Sequence, residues 1–408
     1  MKSKFTGSLL AISLAVSALG LTGPASAQEP IKIGAIYLMS GAFATYGEFA
    51  RDGIQHAVDE INAEGGIMGR QVEFLMEDST GKANVAIQAA RKLVYQDGVD
   101  VLMGLDSSGV ANGVAPVVPE LGKTFLITHA ATPDVTGKLC NKYVFRNSVN
   151  VNQNLKSAAI LANESGAKNW TTIGPDYAFG HQSWEFFEKY LSELNPDATF
   201  SDSPAFPKFM AEDFTPFINK VISEKPDGVM VSLWGGDLVN FVRQANNLGF
   251  FDQDFKVLMT LAAATEVLTA LGDQMPEGVT VGTRYWFLAN DSQVNKDFVK
   301  AYHDRYGNYP SYNAQNAYAA VYTYKAAIEK AGSVEADAIA AALEDITVEA
   351  PVGTYTIRAG DHQAVLDGNW GVTKASPDYP IRILDPIHVF PGEEITPPVS
   401  ETGCKMGM

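Results

Sequence analysis

Apolar positions along this chain follow two alternating periods. Ile31 to Leu38 is a nearly continuous apolar run of the kind a buried strand shows, and it leads into the loop Ser40-Gly41-Ala42-Phe43-Ala44-Thr45-Tyr46-Gly47. Beyond the loop, Ala50, Ile54, Ala57, Val58 and Ile61 share one helical face, and Gly65-Gly66 ends that helix. A strand at Gln71 to Met76 follows, then a helix with the apolar face Val85, Ala86, Ala89, Ala90, Leu93 and Val94. Val99 to Met103 reads as a strand, Gly104 to Gly109 as a loop opening a helix, and Thr124 to Thr128 as another strand. Strands separated by helices predict a parallel sheet covered on both faces.

The same grammar restarts after Asn150. A helix at Asn154 to Glu164 precedes a strand at Trp170 to Gly174, the loop Asp176-Tyr177-Ala178-Phe179-Gly180, and a helix beginning near Gly180. Helices at Asp213 to Ser223 and Leu238 to Leu248 alternate with strands at Gly228 to Leu233 and Phe255 to Thr260, and a short helix covers Thr265 to Leu271. Gly278 to Trp286 reads as a strand crossing back. Three helices are expected near Gln293 to Tyr306, Asn313 to Ala331 and Glu335 to Glu344. Gly353 to Arg358 and Val365 to Val372 read as antiparallel strands, and the Pro-rich end from Pro391 as irregular. A strand, a loop bearing glycine and aromatic residues, and a helix thus occur in both halves. Glycine lets such a loop turn tightly and bring backbone N–H groups close to a ligand, and two facing units make a cleft.

The N-terminus sets the compartment. Lys2 and Lys4 precede the apolar run Leu9 to Leu21, which closes with Ala25-Ser26-Ala27; this is the pattern of a secretory signal cleaved after Ala27. The run falls short of the ~20 residues of a spanning helix, and no Cys near the cleavage site offers a lipid anchor, so a soluble periplasmic protein starting near Gln28 is expected. Losing Lys2 and Lys4 takes the formal charge from −17 to −19, which opposes binding to nucleic acid or to anionic membrane surfaces. A small carboxylate is still admissible as a ligand, because scattered surface charge is screened over about 8–10 Å. The two cysteines, Cys140 and Cys404, are expected to form one disulfide in an oxidising compartment, tying the C-terminal tail to the rim of the first lobe.

The order and spacing of several short markers resemble the type I periplasmic solute-binding proteins of ABC transporters, of the leucine/isoleucine/valine-binding kind. These are Ile33-Gly34 before Ser40-Gly41 and Tyr46-Gly47, Ile61-Asn62-Ala63-Glu64-Gly65-Gly66-Ile67, Glu77-Asp78, Gly104 with Ser107-Ser108, Asp176 to Gly180, Trp234-Gly235-Gly236 and Arg243-Gln244-Ala245. The resemblance implies an α/β fold of two Rossmann-like lobes, each a parallel sheet flanked by helices, joined by a three-crossover hinge. It places crossovers near Tyr143 to Val149, Gly282 to Trp286 and Arg358 to Gln363. The expected organisation is a signal peptide at 1–27, one lobe of 28–146 with 287–357, a second of 147–286 with 358–390, and a tail at 391–408. It further implies a monomer that delivers a solute to a membrane permease, with no catalytic activity and no cofactor or metal.

The resemblance also indicates ligand-contacting positions. Ser107 and Ser108 stand between a strand and a helix, and a helix N-terminus with its unpaired N–H groups favours a carboxylate; an ordinary N-cap explains them equally. Tyr46, Tyr177, Phe179, Trp234 with Gly235, and Tyr312 lie on loops that the family turns into the cleft, where aromatic rings hold an apolar body. The chain departs from the family at the ammonium site. Thr260-Leu261-Ala262-Ala263-Ala264 stands where a glutamate is expected, Glu266 falls too late by simple alignment, and Ala130-Ala131 precedes Thr132 where a threonine is expected one place earlier. A cation buried without a carboxylate is costly, so an aromatic or 2-oxo acid competes with a hydrophobic amino acid as the expected ligand. Asp361-His362-Gln363 after Arg358 reads as hinge hydrogen bonding. A secreted hydrolase is disfavoured, since G-x-S-x-G, H-E-x-x-H, P-loop and G-x-G-x-x-G patterns are missing. A ligand-sensing module of the same fold is the other alternative, and transport is preferred because no fused signalling segment follows.

Overall fold

Ile31–Tyr37 forms β1, and the expected alternation follows as α1 (Ala44–Ala63), β2 (Val72–Asp78), α2 (Ala83–Tyr95), β3 (Val101–Gly104), α3 (Ser108–Val114), α4 (Val118–Leu121), β4 (Phe125–Ile127) and β5 (Val144–Arg146). These elements come from a computed structural model that describes residues 1, 3, 4 and 29–406. The expected signal segment ending at Ala27 therefore lies almost wholly outside the described residues. Among the described residues no helix is long and apolar enough to cross a membrane. The five strands pair in parallel in the order β2-β1-β3-β4-β5. Along β1 successive side chains face opposite ways, so Ile33, Ala35 and Tyr37 join one core and Ile36 the other. Both faces are covered, as a parallel sheet requires.

The second half gives α5 (Val151–Glu164), β6 (Asn169–Ile173), α6 (Ala178–Leu194), β7 (Thr199–Phe200), α7 (Thr215–Glu224), β8 (Gly228–Val231), α8 (Gly235–Asn247), β9 (Lys256–Met259), α9 (Thr265–Leu271) and β10 (Thr280–Thr283). Then come α10 (Gln293–Tyr306), α11 (Tyr312–Ala331), α12 (Ala336–Leu343), β11 (Thr347–Ala350), β12 (Gly353–Ile357), β13 (Ala364–Val365), β14 (Gly368–Lys374), β15 (Ile383–Phe390) and α13 (Gly392–Ile395). A seven-stranded sheet runs β15-β14-β10-β9-β8-β6-β7, in which β14 pairs antiparallel with both β10 and β15 and the other pairings are parallel. Gly228 sits under the buried Trp170 ring; a Cβ there would lie 2.5 Å from the indole, so only glycine lets β8 and β6 pair with that tryptophan between them.

The chain passes between the sheets three times. It leaves the first after Arg146 for α5, and leaves the second after Thr283 for α10 and for α11, which packs along α1. It returns at Leu366 and Asp367, beyond the Arg358 to Gln363 stretch where the third crossover was expected, because Ala364 and Val365 still pair with β12. Residues 143–149, expected only as a crossover, also contain the edge strand β5. β15 escaped the sequence pattern because Pro386 interrupts it, and proline is admitted there because the strand lies at the sheet edge.

Polar side chains fill the junction. The Gln363 amide oxygen accepts from Thr136 Oγ1 (3.0 Å), Arg146 Nη1 (3.2 Å) and Asn150 Nδ2 (3.1 Å), while its nitrogen donates to Ser148 O (2.8 Å) and Ala364 O (3.0 Å). Asp361-His362-Gln363 does make hydrogen bonds at this junction: Arg358 pairs with Asp361, and His362 Nδ1 meets Val144 O at 2.9 Å. The tail is docked. Ile395 is buried, α13 packs on α5, and Gln153 Nε2 donates to Thr396 Oγ1 at 2.8 Å. Cys404 is bonded to Cys140, 264 residues apart, with Cα atoms at 5.6 Å.

Closing a loop of that length removes much unfolded-state entropy, so Cys404→Ala should cost about 2–5 kcal/mol of stability. The measurement is the urea midpoint of wild type and variant. An equal midpoint would mean that the packing of α13 alone fixes the tail.

Candidate functional site

Every side chain around one cavity follows the carboxyl end of a strand or opens a helix. From the first sheet come Tyr46 in the first turn of α1, Asp106 and Ser108 after β3, and His129 and Ala131 after β4. From the second come Tyr177 and Phe179 after β6, Trp234 after β8 and Leu261 after β9, with Arg284 after β10 and Tyr312 at the start of α11 at the passage between them. Ligands of open α/β sheets bind at such strand ends. The free space inside it in this arrangement is only about 10 Å³, roughly what a single water needs. Tyr46, Ser108, Phe179, Trp234 and Tyr312 are all buried, so the space is shut from solvent and a ligand can reach it only if the two sides part.

Aromatic packing holds it shut. Phe43 packs on Trp234 with ring centroids 4.5 Å apart, Tyr46 meets the same indole edge-on at 5.2 Å, and Phe209 stacks on it at 5.7 Å. Gly235 N donates to Tyr46 Oη at 3.0 Å across the gap. Gly235 has φ +54°, and a Cβ there would stand 2.5 Å from the Phe43 ring; the Trp-Gly-Gly spacing is thus a backbone requirement of the closed arrangement.

The polar groups divide into those engaged by the protein and those left over. Ser108 Oγ accepts from Thr132 N at 3.1 Å, which leaves its own proton free to donate. His129 has both ring nitrogens engaged, Nδ1 with Asp106 Oδ1 at 2.8 Å and Nε2 with Asn313 O at 3.0 Å, and Asp106 Oδ2 accepts from Leu38 N at 2.6 Å. Arg284 is buried, donates Nη1 to His129 O, and lies over the Tyr312 ring with its guanidinium 5.0 Å from the centroid. Trp234 Nε1 donates to Tyr177 Oη at 2.9 Å. Burial pushes the Tyr46, Tyr177 and Tyr312 phenols upward, so all three stay protonated.

Four positions expected at the ligand do not line this cavity. Ser107 is the buried N-cap residue of α3, Ala130 belongs to the core under the first sheet, and the Thr132 hydroxyl turns away to accept from Asp134 N at 3.2 Å. Gly235 lines the wider cleft outside Tyr46 instead. Ser107 rather than Ser108 occupies the N-cap position, and α3 has only seven residues. Arg284, Asp106 and His129 were not anticipated. An arginine inside the apolar stretch Val281-Gly282-Thr283-Arg284-Tyr285-Trp286 was the available signal, since arginine is rarely buried without a purpose.

Glu266, held apart by alignment, lines the wider cleft, for which Tyr46 is a shared wall. Its Oε1 accepts from Asn313 Nδ2, and its Oε2 is buried with no hydrogen-bond partner among the described residues. Burial pushes this carboxyl up to about 7.

The periplasmic binding protein family profile matches residues 30–376. Leu/Ile/Val-binding protein homolog 4 of Brucella melitensis is 26% identical, over 97% of this chain and 98% of that one. Leu/Ile/Val-binding protein BraC3 of Rhizobium johnstonii is 31% identical, over 78% and 84%. The solved amino acid ABC transporter substrate-binding protein of Pseudomonas fluorescens Pf-5 superposes with a TM-score of 0.81 at 28% identity, over 93% of this chain and 100% of that one. An ABC transporter solute-binding protein of Rhodopseudomonas palustris BisB5, in complex with 3,4-dihydroxybenzoic acid, shares the fold with a TM-score of 0.80 at 23% identity, over 89% and 98%.

The Glu266 carboxyl generates a pH prediction. A carboxyl whose folded-state pKa is raised to about 7 binds its proton more tightly folded than unfolded, so the associated stability is full at acid pH and lost as pH rises through 7. Glu266→Gln keeps an acceptor for Asn313 and carries no charge. At pH 8 it should be more stable than wild type, by up to about 3 kcal/mol, with the gap closing by pH 4.5. Urea titrations at both pH values test this; a variant less stable at pH 8 would mean the ionised carboxylate has a stabilising partner.

Proposed function

Because the chain belongs to the periplasmic binding protein family, we propose that it is the substrate-binding component of an ABC importer. It captures a small, mostly apolar carboxylate in the cavity between its two sheets and presents it to a transmembrane permease. The protein acts in the periplasm as a monomer after cleavage behind Ala27, and carries out no catalysis. The observation behind this reading is that aromatic faces from both sheets, Tyr46 on one side and Phe179 and Trp234 on the other, converge with the free hydroxyl proton of Ser108 in one closed space. A ligand that touches both sides favours the closed arrangement by its differential contacts. Rings and an aliphatic or aromatic body make an apolar fit, and a serine hydroxyl donates to a carboxylate. The lobe boundaries at residues 146–147 and 286–287 belong to the same reading, with the third at the Leu366 and Asp367 passage.

Within that class an acid without an α-amino group is favoured. Leu261 and Ala131 stand where an ammonium would need polar partners, and Asp106, the carboxylate in the cavity wall, is held by His129 and Leu38 N. A specific observation supports a second reading, in which the ligand is a hydrophobic amino acid: Glu266 carries a partnerless oxygen just beyond Tyr46. The related proteins named for leucine, isoleucine and valine, and the fold relative in complex with 3,4-dihydroxybenzoic acid, span both readings.

Calorimetry with leucine against 4-methyl-2-oxopentanoate, and phenylalanine against phenylpyruvate, decides between them. The oxo acid should bind tighter in each pair; tighter amino acids in both would assign the site to amino acids. Ser108→Ala should weaken the best ligand by about 1.5–3 kcal/mol, the range for hydrogen bonds to charged groups. Unchanged affinity in a folded variant would leave Ser108 as an acceptor for Thr132 N alone.

A further inference from the structure

The cavity wall carries an unbalanced charge. The Asn313 carbonyl can only accept, so His129 Nε2 must carry a hydrogen. The 2.8 Å contact between His129 Nδ1 and Asp106 Oδ1 holds one further proton, on whichever partner. Aspartate, imidazole and that proton sum to zero, so the Asp106–His129 pair is neutral as a unit. It cannot offset a neighbouring cation. Arg284, in the same wall, therefore gives the lining a net charge of about one positive unit, because guanidinium stays protonated in proteins.

Asp361 and Asp134 lie close enough to favour the charged form of Arg146, but neither pairs with it directly. Among the described residues no carboxylate forms an ion pair with Arg284 or with Arg146, the second buried guanidinium behind this wall. Both have a buried Nε without a hydrogen-bond partner. Arg146 spends its other nitrogens on Gln363 and on the carbonyl of Thr132, whose N–H bonds Ser108. Burial and the Arg284 charge together lower the Arg146 guanidinium to about 9. Two like charges buried this close are costly unless an anion joins them. Arg284 is also fixed: Nη1 is tied to His129 O and the guanidinium sits over the Tyr312 ring, so its remaining donors keep their direction at little entropic cost.

We propose that Arg284 is the specificity-determining residue of this cavity: its guanidinium holds the carboxylate of the ligand opposite Ser108 and makes the site select a mono-anion over its neutral or zwitterionic analogues. The inference rests on the carboxylate-binding reading above and adds to it the residue and the charge that select the ligand. A planar guanidinium matches a carboxylate with two parallel N–H donors, and a bound mono-anion brings the cavity to neutrality.

The test uses full-length mature wild type, Arg284→Gln and Arg284→Lys, with thermal unfolding recorded to establish that each is folded. Three acid–amide pairs serve as probes in calorimetry: phenylpyruvate and its amide, 4-hydroxybenzoate and its amide, and leucine and leucinamide. Wild type should bind its best acid at least 100-fold tighter than the matching amide. Arg284→Gln should weaken the acid at least tenfold while moving the amide less than threefold, collapsing the ratio, and Arg284→Lys should recover part of it by restoring the charge. Equal losses for acid and amide in Arg284→Gln, or a retained ratio, would make Arg284 a structural residue and overturn the inference while the carboxylate reading stands. If wild type binds leucine but neither other acid, the preference for a mono-anion is overturned, and the leucine–leucinamide ratio in Arg284→Gln still reports whether Arg284 holds the carboxylate. Binding of none of the probes by folded wild type would overturn both.

Discussion

Buried polar groups must find their partners inside the protein, and at the junction of the two sheets that demand converges on the Gln363 side-chain amide. Its partners come from the loop after β4, the end of β5, the first passage and the start of α5, as well as from its own strand. An amide oxygen and nitrogen can satisfy about four strong bonds, so several of these contacts share donors and acceptors. The arrangement continues inward. Arg146 bonds both Gln363 and the Thr132 carbonyl, and Thr132 N bonds Ser108 Oγ in the cavity wall. The position of the serine hydroxyl is thus set by the same network that fixes where the chain crosses between sheets.

Apolar packing and charge act at different places in this molecule. Around Trp234 the closing contacts are aromatic faces and one backbone N–H to the Tyr46 hydroxyl, all near the outer end of the cavity. At the inner end the groups are guanidinium, imidazole and carboxylate, buried and mutually fixed. Aromatic contact is tolerant of the shape it meets and gives affinity to any apolar body, whereas a buried charge rejects ligands that leave it unpaired. Capture and selection therefore fall to different residues, and an altered outer aromatic would be felt across ligands more evenly than an altered inner cation.

Periodicity made most of the fold legible because each element buries one stripe or face. Gln293 to Tyr306 is a helix with the bounds its pattern predicts, and the strand–loop–helix units around Tyr46 and Phe179 do face each other. Legibility failed where an element's reason lies elsewhere in the chain. β15 contains Asp385-Pro386 in the middle of its apolar run, which reads locally as a break, and only its place at the edge of the sheet permits it. Arg284 is a single polar residue in an apolar run, with nothing local to mark it as part of a site. Its partner His129 O is 155 residues away and its stacking partner Tyr312 lies beyond the next helix. The four expected residues that miss the cavity each stand one residue from a lining one: Thr132 and Ala130 flank Ala131, and Ser107 and Gly235 adjoin Ser108 and Trp234. Alternation by one residue reverses which way a side chain points in extended backbone, and no local pattern distinguishes the inward neighbour from the outward one.

Two unbalanced groups thus lie on opposite sides of the Tyr46 wall, a cation within and a raised-pKa acid outside. An α-amino acid carries its ammonium one carbon from its carboxylate. With the carboxylate at Arg284, the ammonium would lie inside the closed space, where the Asp106–His129 pair offers no net charge. To reach Glu266 it would have to displace the Tyr46 ring, whose hydroxyl is bonded by Gly235 N in the contact that joins the two sides. The closed arrangement and a Glu266-bound ammonium therefore compete for the same tyrosine. A mono-anion makes no such demand on Glu266: it neutralises Arg284 and leaves Glu266 protonated up to about pH 7 behind its wall.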